Sequence, residues 1–117
     1  YNYWFALPHI QKTGVAVLVE GAGDVWRLEE SGIKVGLALF GTDMTDAQRI
    51  LIDRSGALSL IVLLDPDSAG QEGIKRIKNQ LQRQYRMYFP NIRDDIGSLN
   101  KDEITEDIRP ILSKVSQ

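Results

Sequence analysis

Acidic residues follow two of the apolar runs in this sequence. Glu20 comes directly after the run VAVLV, and Asp65 and Asp67 come after the run ALSLIVLL. Negative charges that lie close together repel each other, and a divalent cation between them removes that cost. Carboxylate oxygens are ligands that Mg²⁺ and Mn²⁺ prefer, usually with water and substrate phosphates completing the shell. The residue types therefore predict a shared site for Mg²⁺ or Mn²⁺ that acts on phosphate.

The spacing of Asp65 and Asp67 fits the same interpretation. Two acids one residue apart point the same way in an extended stretch. In a turn that leads into a helix, both can also reach one ion. Pro66 stiffens the spacing because its ring fixes φ. The alternative is that Asp67 or Ser68 serves only as the N-cap of the following helix, which is a common use of both residue types.

Strand-like runs alternate with amphipathic, helix-like runs along the chain. Continuous apolar segments predict strands at 15–19, 33–41, 57–64 and 85–89. Helical spacing predicts helices over 23–31, 42–56, 67–84 and 101–115, the last one interrupted near Pro110. This alternation is typical of an α/β domain with a mainly parallel sheet covered on both faces. The carboxyl ends of parallel strands share one edge, so Glu20 and Asp65 should converge there with the acidic loop after Phe89.

Single positions in the predicted helices can be assigned as well. Thr45 is the expected N-cap of the second helix. The apolar stripes of the second and third helices are predicted to consist of Ala47, Ile50 and Leu51, and of Ile74, Ile77 and Leu81.

The first residues, YNYWFALPHI, form an aromatic-rich segment without an initiator Met. We expect 1–14 to be a lead-in segment from a larger protein, with the domain itself spanning 15–117. The lead-in is either a short helix limited by Pro8 or an extended segment, and Gly14 stops it. Its aromatic side chains should pack against the sheet or another domain rather than stack on bases. His9, the only histidine, is interpreted as a surface or packing residue.

Composition narrows the function classes. The 117 residues are 43% hydrophobic and 26% charged, as in an ordinary globular domain with a real core. The absence of cysteine excludes disulfides and thiolate zinc sites. No apolar run approaches the roughly 20 residues that span a membrane, so we expect no membrane partner and a cytoplasmic location. The net charge of −2 argues against a domain that binds nucleic acid by charge alone.

Three motifs in order resemble those of the Toprim domain, a metal-binding fold shared by bacterial-type primases, topoisomerases and some nucleases. They are VLVEGAGDVWRLEESGI, LALFGTDMTDAQ and LIVLLDPDSAGQEGIKRI. The likeness is strongest to bacterial and phage primases and primase-helicases, where the first motif reads Glu-Gly-x-x-Asp, met here by Glu20, Gly21 and Asp24. The later motif positions are met by Gly41, Thr42, Thr45, Gln48, Asp65, Asp67, Ala69 and Gly70.

A late loop of these primases carries a further acid. In this chain DDIGSL places Asp95 at the key position and Asp94 where a basic residue usually stands. The resemblance implies a Rossmann-like Toprim fold with a central, mainly parallel four-stranded sheet and helices on both faces. It also implies that the metal ligands are Glu20, Asp24, Asp65, Asp67 and Asp95, of which Glu20, Asp65 and Asp67 would be catalytic.

The activity implied is nucleotidyl transfer that makes RNA primers on a single-stranded DNA template. Its partners would be template DNA, nucleotides, a flanking basic domain and, in a primase-helicase, a helicase domain. A Toprim nuclease that cleaves phosphodiesters is the enzyme alternative, and a non-catalytic nucleic-acid-binding or assembly module is the other. Lys75, Arg76 and Lys78 are candidate nucleic-acid contacts, although a solvated helix face is the ordinary interpretation of such a run.

Overall fold

The computed structural model describes residues 2–40, 44–64, 68–90 and 96–115, without the side chains of residues 68 and 69. Its strands are β1 (Val15–Val19), β2 (Gly36–Ala38), β3 (Ser59–Leu63) and β4 (Arg86–Tyr88). Its helices are α1 (Tyr3–Thr13), α2 (Ala22–Glu30), α3 (Asp46–Arg54), α4 (Ser68–Leu81), α5 (Lys101–Asp107) and α6 (Arg109–Val115), with a 3₁₀ turn at Ile96–Ser98. Within these ranges, no helix is long and apolar enough to cross a membrane.

The sheet is four-stranded and parallel in every pairing, with the order β2-β1-β3-β4. All residues of β1 and β3 are buried. Successive strand residues point to opposite faces, so burial of every residue means that both faces are covered. The predicted α/β fold with a central parallel sheet is therefore confirmed. The outer strands are shorter than predicted, with three residues each in β2 and β4.

The lead-in is a helix, which confirms the first of its two predicted forms, but α1 continues through Pro8, so the expectation that Pro8 limits it is wrong. Proline removes one backbone donor and costs helix stability, but tertiary packing compensates. Ala6 and Ile10 of α1 are fully buried in the core, whereas Pro8 faces solvent. Gly14 ends the helix as predicted, with φ of 74° and its N–H donating to the Ile10 carbonyl at 2.7 Å.

Helix α2 ends in a Schellman motif centred on Gly32. The N–H of Gly32 donates to the Glu29 carbonyl at 2.9 Å, and the N–H of Ile33 donates to the Leu28 carbonyl at 2.9 Å. This motif needs a left-handed residue, and Gly32 has φ of 81°. Arg109 of α6 donates from Nε to the Ser31 carbonyl at 3.2 Å. The C-terminal helix pair thus covers the carbonyl end of α2.

Helix α3 has the predicted cap and a different buried face. The Gln48 N–H donates to Thr45 Oγ1 at 3.2 Å, which confirms Thr45 as the N-cap. The predicted stripe is wrong, because the exposed residues of the helix include Ala47, Ile50 and Leu51. Ile52 is the apolar residue that α3 buries. Polar groups occupy the rest of the inner face, since Gln48 donates from Nε2 to the Leu39 carbonyl at 2.8 Å.

The remaining sequence assignments have mixed outcomes. Ile77 and Leu81 of α4 are fully buried and Ile74 is partly buried, as predicted. The last helix is interrupted as expected: α5 ends at Asp107, and α6 begins one residue before Pro110. Trp26 is 58% exposed on α2, whereas Val25 and Leu28 of the same helix are buried. In the lead-in, Tyr3 packs on the core while Trp4 and Phe5 are exposed.

Candidate metal-binding site

Strands β1 and β3 end side by side at the centre of the sheet. Val19, the last residue of β1, pairs with Leu63, the last residue of β3. Neighbouring strands lie about 4.8 Å apart. Glu20 follows Val19 directly, and Asp65 is the second residue after Leu63 in the sequence. The carboxyl ends of β1 and β3 therefore share one edge of the sheet, while the predicted convergence of Glu20 with Asp65 involves a residue outside the described ones.

The backbone at Glu20 is fixed on both sides. Its carbonyl accepts a hydrogen bond from the Phe40 N–H at 2.7 Å, and the Val19 carbonyl accepts one from the Leu39 N–H at 2.9 Å. These bonds extend the pairing of β1 with β2 to the end of the sheet. Glu20 is partly exposed. The residue after it, Gly21, is the N-cap of α2.

Both carboxylate oxygens of Asp24 accept hydrogen bonds from backbone N–H groups. Its Oδ2 accepts from the Gly21 N–H at 3.0 Å, which closes the first turn of α2. Its Oδ1 accepts from the Gly97 N–H at 2.7 Å, across 73 residues of sequence. The residue is only 9% exposed. This carboxylate therefore ties the Glu20–Gly21 turn to the late 3₁₀ turn.

The late 3₁₀ turn is anchored to the body of the domain. Ile96 and Leu99 are 1% and 2% exposed, and Asn100 caps α5 by accepting from the Glu103 N–H at 2.8 Å. The turn packs against α2 and directly follows Asp95 in the sequence. Three of the five predicted metal ligands, Asp65, Asp67 and Asp95, lie outside the described residues. Among the residues that are described, no cluster of three His, Cys, Asp or Glu could hold a metal ion.

The sequence interpretation missed two features of this edge. Asp24 was expected only as a helper ligand, and its bond to Gly97 was not foreseen; an acid three residues after an N-cap glycine was the available signal. Phe40, beside Glu20, is 64% exposed and adopts a left-handed φ of 58°. Non-glycine residues adopt this conformation at a cost, and such positions concentrate near functional sites. No sequence pattern indicated it.

The candidate nucleic-acid contacts lie on the outer face of α4, where all three are exposed. Lys75 Nζ is 3.5 Å from Glu72 Oε1 in an exposed ion pair. Lys78 Nζ lies 5.9 Å from the centroid of the Phe89 ring, within cation–π range. Arg76 is the third exposed cation of this helix. The three cations therefore lie on its solvent-facing side.

Comparison with known proteins assigns the family. A family model of the Toprim domain matches residues 14–88, which is more than half of the chain. The chain belongs to the Toprim domain family. The matched segment begins one residue before β1 and ends with β4, so it contains the whole parallel sheet of this Toprim domain.

Its relatives include DNA primases. This Toprim domain is 37% identical over 84 residues to a DNA primase of Halalkalibacterium halodurans, covering 72% of the chain and 14% of the relative. It is 39% identical over 72 residues to a DNA primase of Myxococcus xanthus, covering 62% and 12%. The Aquifex aeolicus primase structure, with zinc-binding and RNA polymerase domains, matches with a TM-score of 0.74 at 25% identity, covering 100% of this chain and 29% of that one. The chain spans only about an eighth of the length of these two curated relatives.

Proposed function

We propose that this chain is the catalytic Toprim domain of a DNA primase or primase-helicase that synthesises RNA primers on single-stranded DNA. The observation that carries the proposal is the pairing of Val19 with Leu63, which sets the segment bearing Glu20 beside the segment that leads to Asp65 and Asp67. The similarity to DNA primases at 37% and 39% identity supports the reaction class.

The residues fit a hard divalent cation. Glu20 lies at a strand end and is partly exposed, and Asp65, Asp67 and Asp95 would add oxygen ligands of the kind that Mg²⁺ and Mn²⁺ prefer. The glycine-rich first turn of α2 would leave room for a bulky anionic ligand, because a Cβ added to Gly23 would meet no heavy atom of the described residues within 4 Å. Glu20, Asp65 and Asp67 would hold one or two Mg²⁺ or Mn²⁺ ions, with Asp24 and Asp95 in support.

When bound, the metal would align the 3′-hydroxyl of the growing RNA with the α-phosphate of the incoming nucleotide and neutralise developing charge. The chain's own contribution is geometric. The hydrogen bonds of Leu39 and Phe40 to the end of β1 fix the backbone from which the Glu20 carboxylate projects. A backbone held in this way adds no ordering cost of its own when the side chain binds a cation, which favours specific coordination.

Binding of the template and the nucleotides requires positive charge, and this domain has one strong run of basic residues. Lys75, Arg76 and Lys78 on α4 would contact phosphate groups of the nucleic acid. The domain's net charge of −2 is unfavourable for holding a template unaided. We therefore propose that a flanking basic domain of a longer parent protein shares this task. A helicase domain would accompany it in a primase-helicase.

Metal binding can be tested on the domain by NMR with Mn²⁺, whose unpaired electrons broaden signals near it. We expect broadening of Gly21 and Ser68 in the wild type, and its loss in Glu20→Gln and Asp65→Asn. Glu30→Gln is the matched control, because Glu30 is an exposed carboxylate of α2 that pairs with Arg27. Broadening that is uniform, or that survives in both site variants, would contradict the shared metal site.

The reaction itself is tested in the full-length parent protein. Template-dependent RNA synthesis that needs Mg²⁺ and is lost in Glu20→Gln but kept in Glu30→Gln is the expected result. Metal-dependent cleavage of a labelled strand, without RNA synthesis, would instead assign the same acids to a nuclease. Metal binding with neither activity would leave the domain as a non-catalytic module.

A further inference from the structure

We propose that Asp24 acts as a positioning residue, whose carboxylate holds the Glu20–Gly21 turn and the Ile96–Ser98 turn as one rigid unit around the metal site. The inference rests on the proposed function, since it concerns the same site. It departs from the assignment of Asp24 as a direct metal ligand. The difference lies in where its two oxygens point.

The charge and the burial of the Asp24 carboxylate favour strong hydrogen bonds. An ionised carboxylate that accepts from a backbone N–H makes a charge-assisted bond, which is shorter than a neutral one. The 2.7 Å contact with Gly97 fits this description, whereas the 3.0 Å contact with Gly21 has the length of an ordinary N–H···O bond. The side chain is almost fully buried. A low local dielectric strengthens these bonds and makes breaking either of them costly.

A carboxylate oxygen has two lone pairs and can accept a hydrogen bond while it binds a cation, so ligation competes with these bonds where the carboxylate must turn away from its donors. A carboxylate oxygen that turned toward a cation at the strand ends would leave the Gly97 or the Gly21 N–H with a weaker partner or none. Unpaired buried donors are unfavourable. The geometry is therefore better suited to the role of a residue that orients ligands than to that of a ligand. Replacing a residue that orients metal ligands typically lowers metal affinity by 10- to 100-fold.

The two turns that Asp24 joins are distant in sequence, and its carboxylate adds a direct hydrogen-bonded link between their backbones. Gly21 belongs to the junction of β1 with α2, whereas Gly97 belongs to a turn that follows β4. Asp95, which immediately precedes this turn in the sequence, was predicted as a ligand on other grounds. A link at Gly97 limits how far its chain neighbours can move relative to Glu20, because consecutive Cα atoms are only about 3.8 Å apart.

Variants at Gly97 separate the two roles because they leave the carboxylate untouched. Gly97→Pro removes the N–H, and a 3₁₀ turn has φ values close to that of proline. Gly97→Ala is the matched control, which keeps the N–H at a position outside the residues with positive φ. The measurement is Mn²⁺ affinity of the domain, with circular dichroism showing that each variant is folded.

We expect Asp24→Asn and Gly97→Pro each to weaken Mn²⁺ binding by roughly 10- to 100-fold, with Gly97→Ala close to the wild type. The double variant should bind no more weakly than the weaker single variant, because both changes remove one interaction. A folded Gly97→Pro variant with wild-type affinity would overturn the proposal. So would an Asp24→Asn variant that unfolds more easily but binds Mn²⁺ normally.

A second measurement needs no substitution and covers the case in which Gly97→Pro fails to fold. The Gly97 amide should exchange with solvent slowly, and its exchange should stay slow when the domain is saturated with Mg²⁺. Faster exchange with Mg²⁺ would show that the Asp24 oxygen leaves Gly97 for the metal, which contradicts a positioning role. The Glu20→Gln variant tests the proposed function separately from the role of Asp24. If the wild type binds no metal, or if Glu20→Gln binds it equally well, the proposed function is overturned and this inference with it.

Discussion

The Tyr85 hydroxyl donates a hydrogen bond to the carboxylate of Asp53, which joins α3 to the segment just before β4. The contact spans 32 residues of sequence and two layers of the fold. Burial of the ring, and then the hydrogen bond and charge of Asp53, raise the pKa of Tyr85 well above its ordinary value of 10.0, against a smaller opposing effect of Arg49.

This contact predicts a specific alkaline instability. Below pH 10.0, Tyr85 is protonated in the folded and the unfolded chain, so its contribution to stability is complete. Above that pH the unfolded chain loses the proton while the folded chain retains it, and the contribution falls. Urea unfolding as a function of pH should therefore show a decline above pH 10.0 that is shallower in Tyr85→Phe. An equal decline in both proteins would contradict the assignment. Asp53→Asn, which keeps an acceptor without the charge, should fall between them.

Gly32 should resist substitution. An alanine Cβ there would be strained by the φ of 81° and would lie 2.6 Å from Nη2 of Arg109, so the flexible end of the Arg109 side chain would have to move. We expect Gly32→Ala to lower the free energy of unfolding by about 1–3 kcal/mol. Gly23→Ala is the control in the same helix, where a Cβ would meet no atom of the described part of the chain within 4 Å, and it should be neutral or stabilising by up to about 1 kcal/mol. Equal effects at both positions would refute the argument.

The N-cap of α3 can be tested by comparing two threonines, Thr45 at the cap and Thr105 in α5. Thr45→Ala removes the acceptor for the Gln48 N–H and should lower the free energy of unfolding by about 1 kcal/mol. Thr105→Ala changes an exposed residue whose hydroxyl only donates back to the Lys101 carbonyl, and its effect should stay within about 0.5 kcal/mol. Chemical denaturation measures both. A larger loss at Thr105 than at Thr45 would contradict the capping assignment.

Phe40 should reveal strain beside the site. Its φ of 58° suits glycine far better than any residue with a Cβ. Comparing Phe40→Gly with Phe40→Ala cancels the loss of the ring, and we expect the glycine variant to be more stable by about 1 kcal/mol. Thermal and urea unfolding provide the test. If alanine proves equal to glycine, Phe40 is not strained.

The basic face of α4 can be tested through salt dependence. If Lys75, Arg76 and Lys78 contact phosphates, replacing each by alanine should weaken single-stranded DNA binding and reduce the slope of log K against log salt by about 0.7 per lost contact. Lys114→Ala, an exposed cation of α6, should leave the slope unchanged. Identical slopes in all variants would assign these residues to an ordinary solvated surface.

The fold was more predictable than the site. Strands β1 and β3 were predictable, because short unbroken apolar runs are typical of strands buried on both faces. The inner face of α3 was not predictable, because Gln48 faces inward through a hydrogen bond that apolar periodicity cannot detect. Helix α1 was underestimated for a related reason, since the burial of Ile10 outweighs the cost of Pro8. At the site, Glu20 could be located from its strand, but the link from Asp24 to Gly97 depends on a contact between distant segments.

The central position of β1 and β3 has a consequence for the protein's fluctuations. Strands paired on both sides and buried on both faces open to solvent only when the whole domain unfolds. Amide hydrogens of Val17 and Ile61 should therefore exchange most slowly, with those of β4 exchanging first. The segment bearing Glu20 extends from this slowest part of the molecule. Local breathing, which limits the precision of many loop-built sites, should therefore hardly affect the backbone that positions its carboxylate.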